Sequence, residues 1–204
     1  MDMSVTPTYT GRLKLLLIFG LFLLPLVSAT LWYKLLPVDY KPNSMINHGQ
    51  LLEPIYTLQP FSQPTLQGRT FTEQNLRQHW TLVYRLNRPC DDACNKVLYN
   101  TRQIRTALGK DQQRVQRLII VNQDNMASPD QALLTSHADL VVLQAATQGL
   151  EQQIRAHTPL QPQSDDAVYL LDPLGNLIMQ FSPALPPKQM LQDLQKLLRL
   201  SHIG

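Results

Sequence analysis

The stretch that decides the fold is LVYRLNRPCDDACNKVLYNTRQIRTALG, residues 82–109. Together with the two residues before it, its first part reads WTLVYRL, and an apolar run with β-branched and aromatic side chains is typical of a buried strand over residues 80–86. Apolar side chains then recur at helical spacing until Gly109, a residue type that often ends helices, so residues 91–108 are predicted to form a helix. The only two cysteines of the chain, Cys90 and Cys94, lie at the start of this helix.

The rest of the chain after this helix alternates strands and helices and closes with a hairpin and a helix. A strand–helix–strand unit with a cysteine pair at the mouth of its first helix, followed by a β-hairpin and a closing helix, predicts an α/β, thioredoxin-like fold. The further predicted elements are a strand at 114–122, a short helix beginning at 128, a strand at 139–145, a helix at 147–156, a hairpin at 167–181 and a helix at 186–200.

The N-terminal part predicts one transmembrane helix. Residues 15–36 carry a single charge, on Lys34, and at about 1.5 Å per residue they reach roughly 30 Å, the thickness of the hydrocarbon layer. Arg12 and Lys14 precede the run, so residues 1–14 are expected in the cytoplasm and the remainder on the far side.

A cleaved signal peptide is the alternative, because Val27 and Ala29 fit the small-residue pattern before a cleavage site. The apolar run is long for a signal peptide and continues past Ala29, which favours an uncleaved anchor. Residues 37–48 are interpreted as a linker rich in polar residues and proline, and residues 49–204 as one extracytoplasmic domain.

The two cysteines have three interpretations. Side chains four residues apart on a helix share a face, so the sulfur atoms of Cys90 and Cys94 can form a disulfide. The two thiolates can instead bind a soft ion, and Cu(I), which accepts two thiolates and one further donor, is the metal expected. The third interpretation is structural, either a permanent staple or a buried pair, although so short a loop restricts the unfolded chain little.

Charges near Cys90 act in opposite directions on its thiolate. The helix N-terminus favours the thiolate, and Arg85 and Arg88 are expected to help. Asp91 and Asp92 oppose ionisation by placing negative charge beside the sulfur. The sequence therefore predicts a thiol that is only mildly acidic.

Several segments together resemble the Sco-type cytochrome c oxidase assembly proteins, particularly the shorter Sco-like membrane proteins associated with bacterial oxidase assembly. The resemblance covers most of the chain from the anchor onward. It implies a thioredoxin fold in which a CxxxC pair and a distal histidine bind copper. It also implies that the protein delivers copper to, or reduces the cysteines of, the dinuclear copper site in oxidase subunit II. The segments are the anchor, NHGQLLEP at 47–54, WTLVYRL at 80–86, the cysteine pair, RQIRTALG at 102–109, RVQRLIIV at 114–121 and VYLLDPLGNLI at 168–178.

The chain departs from the family pattern at the distal histidine. Asp166 stands where the resemblance places that histidine, in the sequence SDDAVYLLDP. A carboxylate is a poor substitute for imidazole on Cu(I), so low copper affinity is expected. Asp166 could instead take a proton during thiol exchange, or belong with Asp165 to a solvated acidic turn. No other residue is favoured as third ligand; those considered are His48, His79, His137, His157, His202 and Met126.

The leading hypothesis is a membrane-anchored accessory factor for cytochrome c oxidase assembly, single-pass in a bacterial inner membrane with its domain in the periplasm. Cys90 would be the attacking sulfur and Cys94 the resolving one, or both would bind Cu(I) transiently. Expected partners are oxidase subunit II or another oxidase assembly factor. The alternative is a tethered, non-catalytic binding module with a structural disulfide. With a net charge of +3 and few aromatic residues, the chain is not expected to bind nucleic acid.

Overall fold

The computed structural model describes residues 9–35, 47–86, 88–121, 131–146, 149–158, 166–201 and 203. Contacts divide the chain into two units, Met1–Ile46 and Asn47–Gly204. Some features predicted above lie outside the described residues: most of the linker, the start of the short helix at 128, Met126, Asp165 and His202.

The first unit contains the helix α1, Tyr9–Leu35. Its segment Gly11–Trp32 has a mean hydropathy of 2.3, and by length and composition it can cross a membrane once. At about 1.5 Å per residue the whole helix exceeds the hydrocarbon thickness. The predicted N-terminal apolar helix is therefore present.

The second unit is built on a mixed β-sheet. Within the described residues the sheet has six strands in the order β1-β8-β7-β4-β5-β6. β4 pairs in parallel with β5 and β5 with β6, whereas β7 joins the other side of β4 in the antiparallel direction. The strands are β1 Gln50–Thr57, β4 Trp80–Leu86, β5 Val115–Val121, β6 Leu140–Gln144, β7 Val168–Leu171 and β8 Asn176–Phe181, and a separate small sheet pairs β2 Ser62–Pro64 with β3 Thr70–Thr72.

Helices cover both faces of the large sheet. One core lies between the sheet and the face of α2 and α5 that carries Leu98 and Leu194, and a second core contains Leu150 and Ile154 of α4. All seven residues of β4 are buried, which accounts for its unbroken apolar run. The helices are α2 Asp92–Ala107, α3 Gln131–Ser136, α4 Leu150–Ala156 and α5 Pro187–Leu200. The predicted α/β, thioredoxin-like architecture with an N-terminal apolar helix is confirmed.

One strand differs from the sequence-based expectation. No strand was predicted between the linker and residue 80, but β1 forms the edge of the large sheet and pairs with β8. Only Leu52 of this strand is fully buried, and its register is interrupted between Leu51 and Tyr56. A strand with one buried side chain shows no alternating pattern, so its sequence did not reveal it.

Asp193 attaches the start of this edge strand to α5. Its buried carboxylate accepts hydrogen bonds from the backbone amides of His48, at 2.9 Å, and Gly49, at 2.8 Å. We expect Asp193→Ala to lower the free energy of unfolding by about 2 kcal/mol, because a buried amide loses a charged acceptor. Urea unfolding of the detergent-solubilised protein measures this loss.

Hydrogen exchange provides the site-specific readout for the same variant. The Gly49 amide should exchange faster in Asp193→Ala, while Asp193→Asn, which keeps one acceptor oxygen, should lie between the variant and the wild type. An unchanged rate at Gly49 would show that Asp193 does not hold the strand.

A buried arginine lies between α2 and the sheet. The Arg117 side chain is 1% exposed and donates to both oxygens of Asp139, at 3.0 and 3.1 Å. It also donates to the Leu98 carbonyl and the Thr101 hydroxyl. Burial lowers the pKa of Arg117, while the negative charge of Asp139 acts in the opposite direction. The charge is thus kept in the interior by a single carboxylate and two neutral acceptors.

Candidate redox site

The cysteine pair lies where the polypeptide leaves the sheet. β4 ends at Leu86, and α2 begins at Asp92 after a short connection. Asp91 is the N-cap residue of α2, and its Oδ1 accepts a hydrogen bond from the Cys94 amide at 3.0 Å. The sequence predicted the helix to begin at Asp91, one residue before the observed start. The cap fixes the backbone between the two cysteines.

Cys90 and Cys94 form a disulfide in this structure, with their Cα atoms 5.2 Å apart. Cys94 is 0% exposed and belongs to the core under α2, whereas Cys90 is only partly buried. The Asn95 Oδ1 atom lies 3.7 Å from the Cys90 sulfur, within reach of the thiol in the reduced form. The unequal exposure means that an incoming protein can reach the sulfur of Cys90 but not that of Cys94.

Asp166 lies beside this connection through a network of hydrogen bonds. The Arg88 guanidinium donates to Asp91 Oδ2 at 2.5 Å and to Asp166 Oδ2 at 2.6 Å. The Tyr84 hydroxyl donates to the other oxygen of Asp166 at 3.0 Å. The network therefore runs from Tyr84 through Asp166, Arg88 and Asp91 to the backbone amide of Cys94.

The network changes the proton affinity of its members. Burial, followed by the charge of Asp166 and its hydrogen bond, raises the pKa of Tyr84. The hydrogen bond to Asp166 raises the pKa of Arg88, and the hydrogen bond from the Cys94 amide lowers the pKa of Asp91. Tyr84 and Arg88 thus stay protonated and Asp91 stays ionised at neutral pH. Both oxygens of Asp166 accept hydrogen bonds in this network.

Arg85 does not help to stabilise a thiolate, contrary to the expectation from its sequence position. Its side chain is buried and pairs with Glu151 of α4 at 3.6 Å. Neighbouring residues of a strand point to opposite faces of the sheet, so Arg85 and Tyr84 lie on different sides. Arg88 is the cation beside the cysteines.

The described histidines lie away from the cysteine pair. His79 precedes β4 and the cysteines follow its other end, which separates them by about 20 Å along the strand. His48 precedes β1, at the end of the sheet where β4 also ends. β1 lies three strands away from β4, which separates the two strands by about 14 Å. His137 precedes β6, at the end of the sheet where β4 begins. The His157 ring stacks on Tyr56. None of them completes a ligand set with the two sulfurs.

The donor set can be tested for its fit to copper. Cu(I) would find two thiolates after reduction, whereas Asp166, which stands where a distal histidine was expected, is a carboxylate whose oxygens already accept hydrogen bonds from Tyr84 and Arg88. Among the residues that the structure describes, no group of three or more His, Cys, Asp or Glu side chains is arranged to hold a metal ion. The residues present therefore do not fit a copper site made by this protein alone.

Sequence reasoning missed Tyr84 and the pairing of Arg88 with Asp166. Tyr84 lies in a buried strand, where its hydroxyl needs a hydrogen-bond partner, and that requirement was the available signal. Arg88 and Asp166 are 78 residues apart, and no local pattern connects them. The antiparallel entry of β7 beside β4 brings them together.

Fold and site define a thioredoxin-like protein with one disulfide at the mouth of a helix. The chain belongs to the family described as transmembrane-like, thioredoxin-like, C-terminal domain, whose model matches residues 80–201. No curated protein matches the chain.

Solved Sco structures share the fold. Copper-bound ScoI from Arabidopsis thaliana is 19% identical, with 72% of this chain and 100% of that chain covered and a TM-score of 0.57. Copper-bound ScoI from Bradyrhizobium japonicum is 21% identical, with coverage of 69% and 99% and a TM-score of 0.53. BsSco, in which a disulfide switch was identified and which is described as a member of the Sco family of cytochrome c oxidase assembly proteins, is 15% identical, with coverage of 72% and 95% and a TM-score of 0.52. The expected similarity to Sco proteins is confirmed at the level of the fold.

Proposed function

We propose that this protein is a membrane-anchored thiol–disulfide exchange factor that prepares a cysteine-containing copper site of cytochrome c oxidase. The observation that carries the proposal is the Cys90–Cys94 disulfide, with one sulfur accessible and the other buried. The shared fold with BsSco, for which a disulfide switch is described, supports it. The substrate is a protein disulfide in oxidase subunit II or in another assembly factor.

The exchange transfers two electrons and two protons to the substrate. The Cys90 thiolate attacks one sulfur of the substrate disulfide, which releases the other sulfur as a thiolate and leaves a mixed disulfide. The Cys94 sulfur then loses its proton and attacks Cys90, so that the internal disulfide forms and the substrate leaves as a dithiol. A dithiol reductant in the same compartment regenerates the reduced pair. The direction follows from copper chemistry, because thiolates and not disulfides bind the metal.

The location follows from the charges near the helix and from the cysteine chemistry. Arg12 and Lys14 precede α1, which favours a cytoplasmic N-terminus and a domain in the periplasm of a bacterial inner membrane. A stable disulfide also belongs to an oxidising compartment. In such a location the anchor keeps the domain close to a membrane-embedded oxidase.

Cu(I) transfer is the less favoured use of the same cysteines. Both thiolates would bind the ion and a residue of the target would complete the site. We rank thiol exchange first because Asp166, at the expected position of the third ligand, is a carboxylate that already binds Arg88 and Tyr84.

Covalent trapping in the host tests the exchange. Cells that carry Cys94→Ser should accumulate a mixed disulfide between Cys90 and the substrate protein, which non-reducing electrophoresis separates and mass spectrometry identifies. Cys90→Ser is the matched control and should trap no partner. If Cys94→Ser traps nothing and the double serine variant keeps full oxidase activity, the exchange function is wrong and a tethered binding module remains.

A further inference from the structure

The Arg88 guanidinium is the cation at the mouth of α2. Two of its nitrogen atoms bind carboxylates on different segments, Asp91 at the helix cap and Asp166 before β7. The remaining oxygens of these carboxylates accept hydrogen bonds from the Cys94 amide and the Tyr84 hydroxyl. Each of the four carboxylate oxygens therefore already has a donor.

This arrangement is connected to the cysteine pair through the backbone and the Cys94 amide. Arg88 lies two residues before Cys90 and Asp91 directly follows it, while Asp166 approaches from the neighbouring strand β7, which pairs with β4. A metal ion held by Cys90 and Cys94 needs a third donor. The nearby carboxylates of Asp91 and Asp166 are both bound to the Arg88 guanidinium. To bind one of these carboxylates, the ion would have to displace Arg88, and it would still lie close to the positive charge of Arg88.

The local charges also explain why such a barrier is needed. Once the cysteines are reduced, thiolate charge is added next to the carboxylates of Asp91 and Asp92, which directly follow Cys90 in the chain. Without a nearby cation, this negative charge would favour binding of a soft cation to the two thiolates. Arg88 supplies that cation permanently, since a guanidinium stays charged at any physiological pH.

We propose that the Arg88–Asp166 ion pair is a built-in barrier to metal binding, which keeps the reduced Cys90–Cys94 pair free for thiol exchange. The inference rests on the proposed function in that a metal-loaded pair could not attack a substrate disulfide. The ion pair is thus the feature that separates an exchange site from a metal-holding site on this fold.

Cu(I) titration of the reduced, full-length protein in detergent tests the barrier, with a chromogenic Cu(I) chelator as competitor under anaerobic conditions. Arg88→Gln should bind Cu(I) about tenfold more tightly than the wild type, as expected for loss of one nearby repelling charge. Arg88→Lys keeps the charge and should stay close to the wild type. Arg155→Gln, at an exposed arginine of α4 that pairs with Glu151, is the remote control and should change nothing.

A second variant tests the position of the missing donor. The double variant Arg88→Gln and Asp166→His removes the ion pair and supplies an imidazole at position 166. The Cu(I) affinity of this double variant should rise on the order of 100-fold over the wild type. Thermal unfolding of each variant checks that the domain remains folded.

Two results would overturn the barrier. One is an Arg88→Gln variant that binds Cu(I) no more tightly than the wild type, and the other is an Arg88→Lys variant that gains affinity equally. Either result leaves the trapping experiment with Cys94→Ser unaffected. Conversely, if Arg88→Gln binds Cu(I) more tightly while Cys94→Ser traps no partner, that result would support the barrier and contradict the exchange function.

Discussion

Cys90→Ser should slow the reduction of a disulfide-containing peptide by the reduced protein on the order of 10³-fold or more, because a serine hydroxyl is not ionised at neutral pH. Cys94 cannot replace the missing nucleophile, since it is 0% exposed and lies in the core beneath α2. Stopped-flow measurement of the peptide dithiol, with the full-length protein in detergent, gives the rate.

Cys94→Ser should behave differently from Cys90→Ser in the same assay. The first attack by Cys90 should still occur, but the mixed disulfide should persist because no second sulfur resolves it. Ala93→Ser is the matched control, as an exposed neighbour that leaves both sulfurs in place. If the two cysteine variants form the mixed disulfide with the peptide at the same rate, or if Cys94→Ser forms it more slowly than Cys90→Ser, the assigned roles are wrong.

Asp139→Asn should lower the free energy of unfolding by about 3 kcal/mol, because it leaves the buried charge of Arg117 without its carboxylate. Arg117 would then have only neutral acceptors, namely the amide oxygen of the new side chain, the Leu98 carbonyl and the Thr101 hydroxyl. The midpoint of urea unfolding measures the loss. The double variant Arg117→Met and Asp139→Asn should be more stable than Asp139→Asn alone, since the fully buried charge of Arg117 is removed; Arg105, which also pairs with Asp139, is affected equally in both variants. A double variant that is less stable would contradict this account.

The stabilisation by this ion pair should depend on pH. Burial acts to raise the pKa of Asp139, but the charge of Arg117 and its hydrogen bonds outweigh burial and lower it below the ordinary carboxyl value. A lowered folded-state pKa means that the stabilisation is complete above the unfolded pKa, about 4. It is lost as the pH falls from there through the folded-state pKa. The difference between the wild type and Asp139→Asn should shrink over the same interval.

Much of the fold could be predicted from neighbouring residues. The strand at 80–86 coincides with β4, and the predicted helix at 91–108 differs from α2 by one residue at each end. Gly109 adopts a positive φ of 58° just after the helix, as expected for a residue that ends it. These features depend on local patterns, namely apolar spacing, turn residues and caps. The closeness of Cys90 and Cys94 follows from the same local geometry.

Other features depended on the order of strands in the sheet. β1 was missed because an edge strand with one buried side chain has almost no pattern, and its partner β8 lies more than a hundred residues away. Arg85 was expected beside the cysteines, but it lies on the other face of the sheet and pairs with Glu151. The side chains of a strand alternate between the two faces, and the sequence does not show which face α2 will cover. Asp166 was recognised as a departure from the family pattern, but its binding to Arg88 and Tyr84 was not.

The sequence by itself determined an N-terminal apolar helix and an α/β domain with two cysteines close enough to bond, because interactions within a few residues specify helices, strands and their ends. Only the tertiary structure decided what surrounds the sulfurs. Insertion of β7 antiparallel to β4 brings Asp166 to Arg88 across 78 residues of chain, and the cover of α2 leaves Cys90 accessible while it buries Cys94. Charges far apart in the chain interact only after the sheet has fixed their distance, so their pairing cannot be predicted from local sequence.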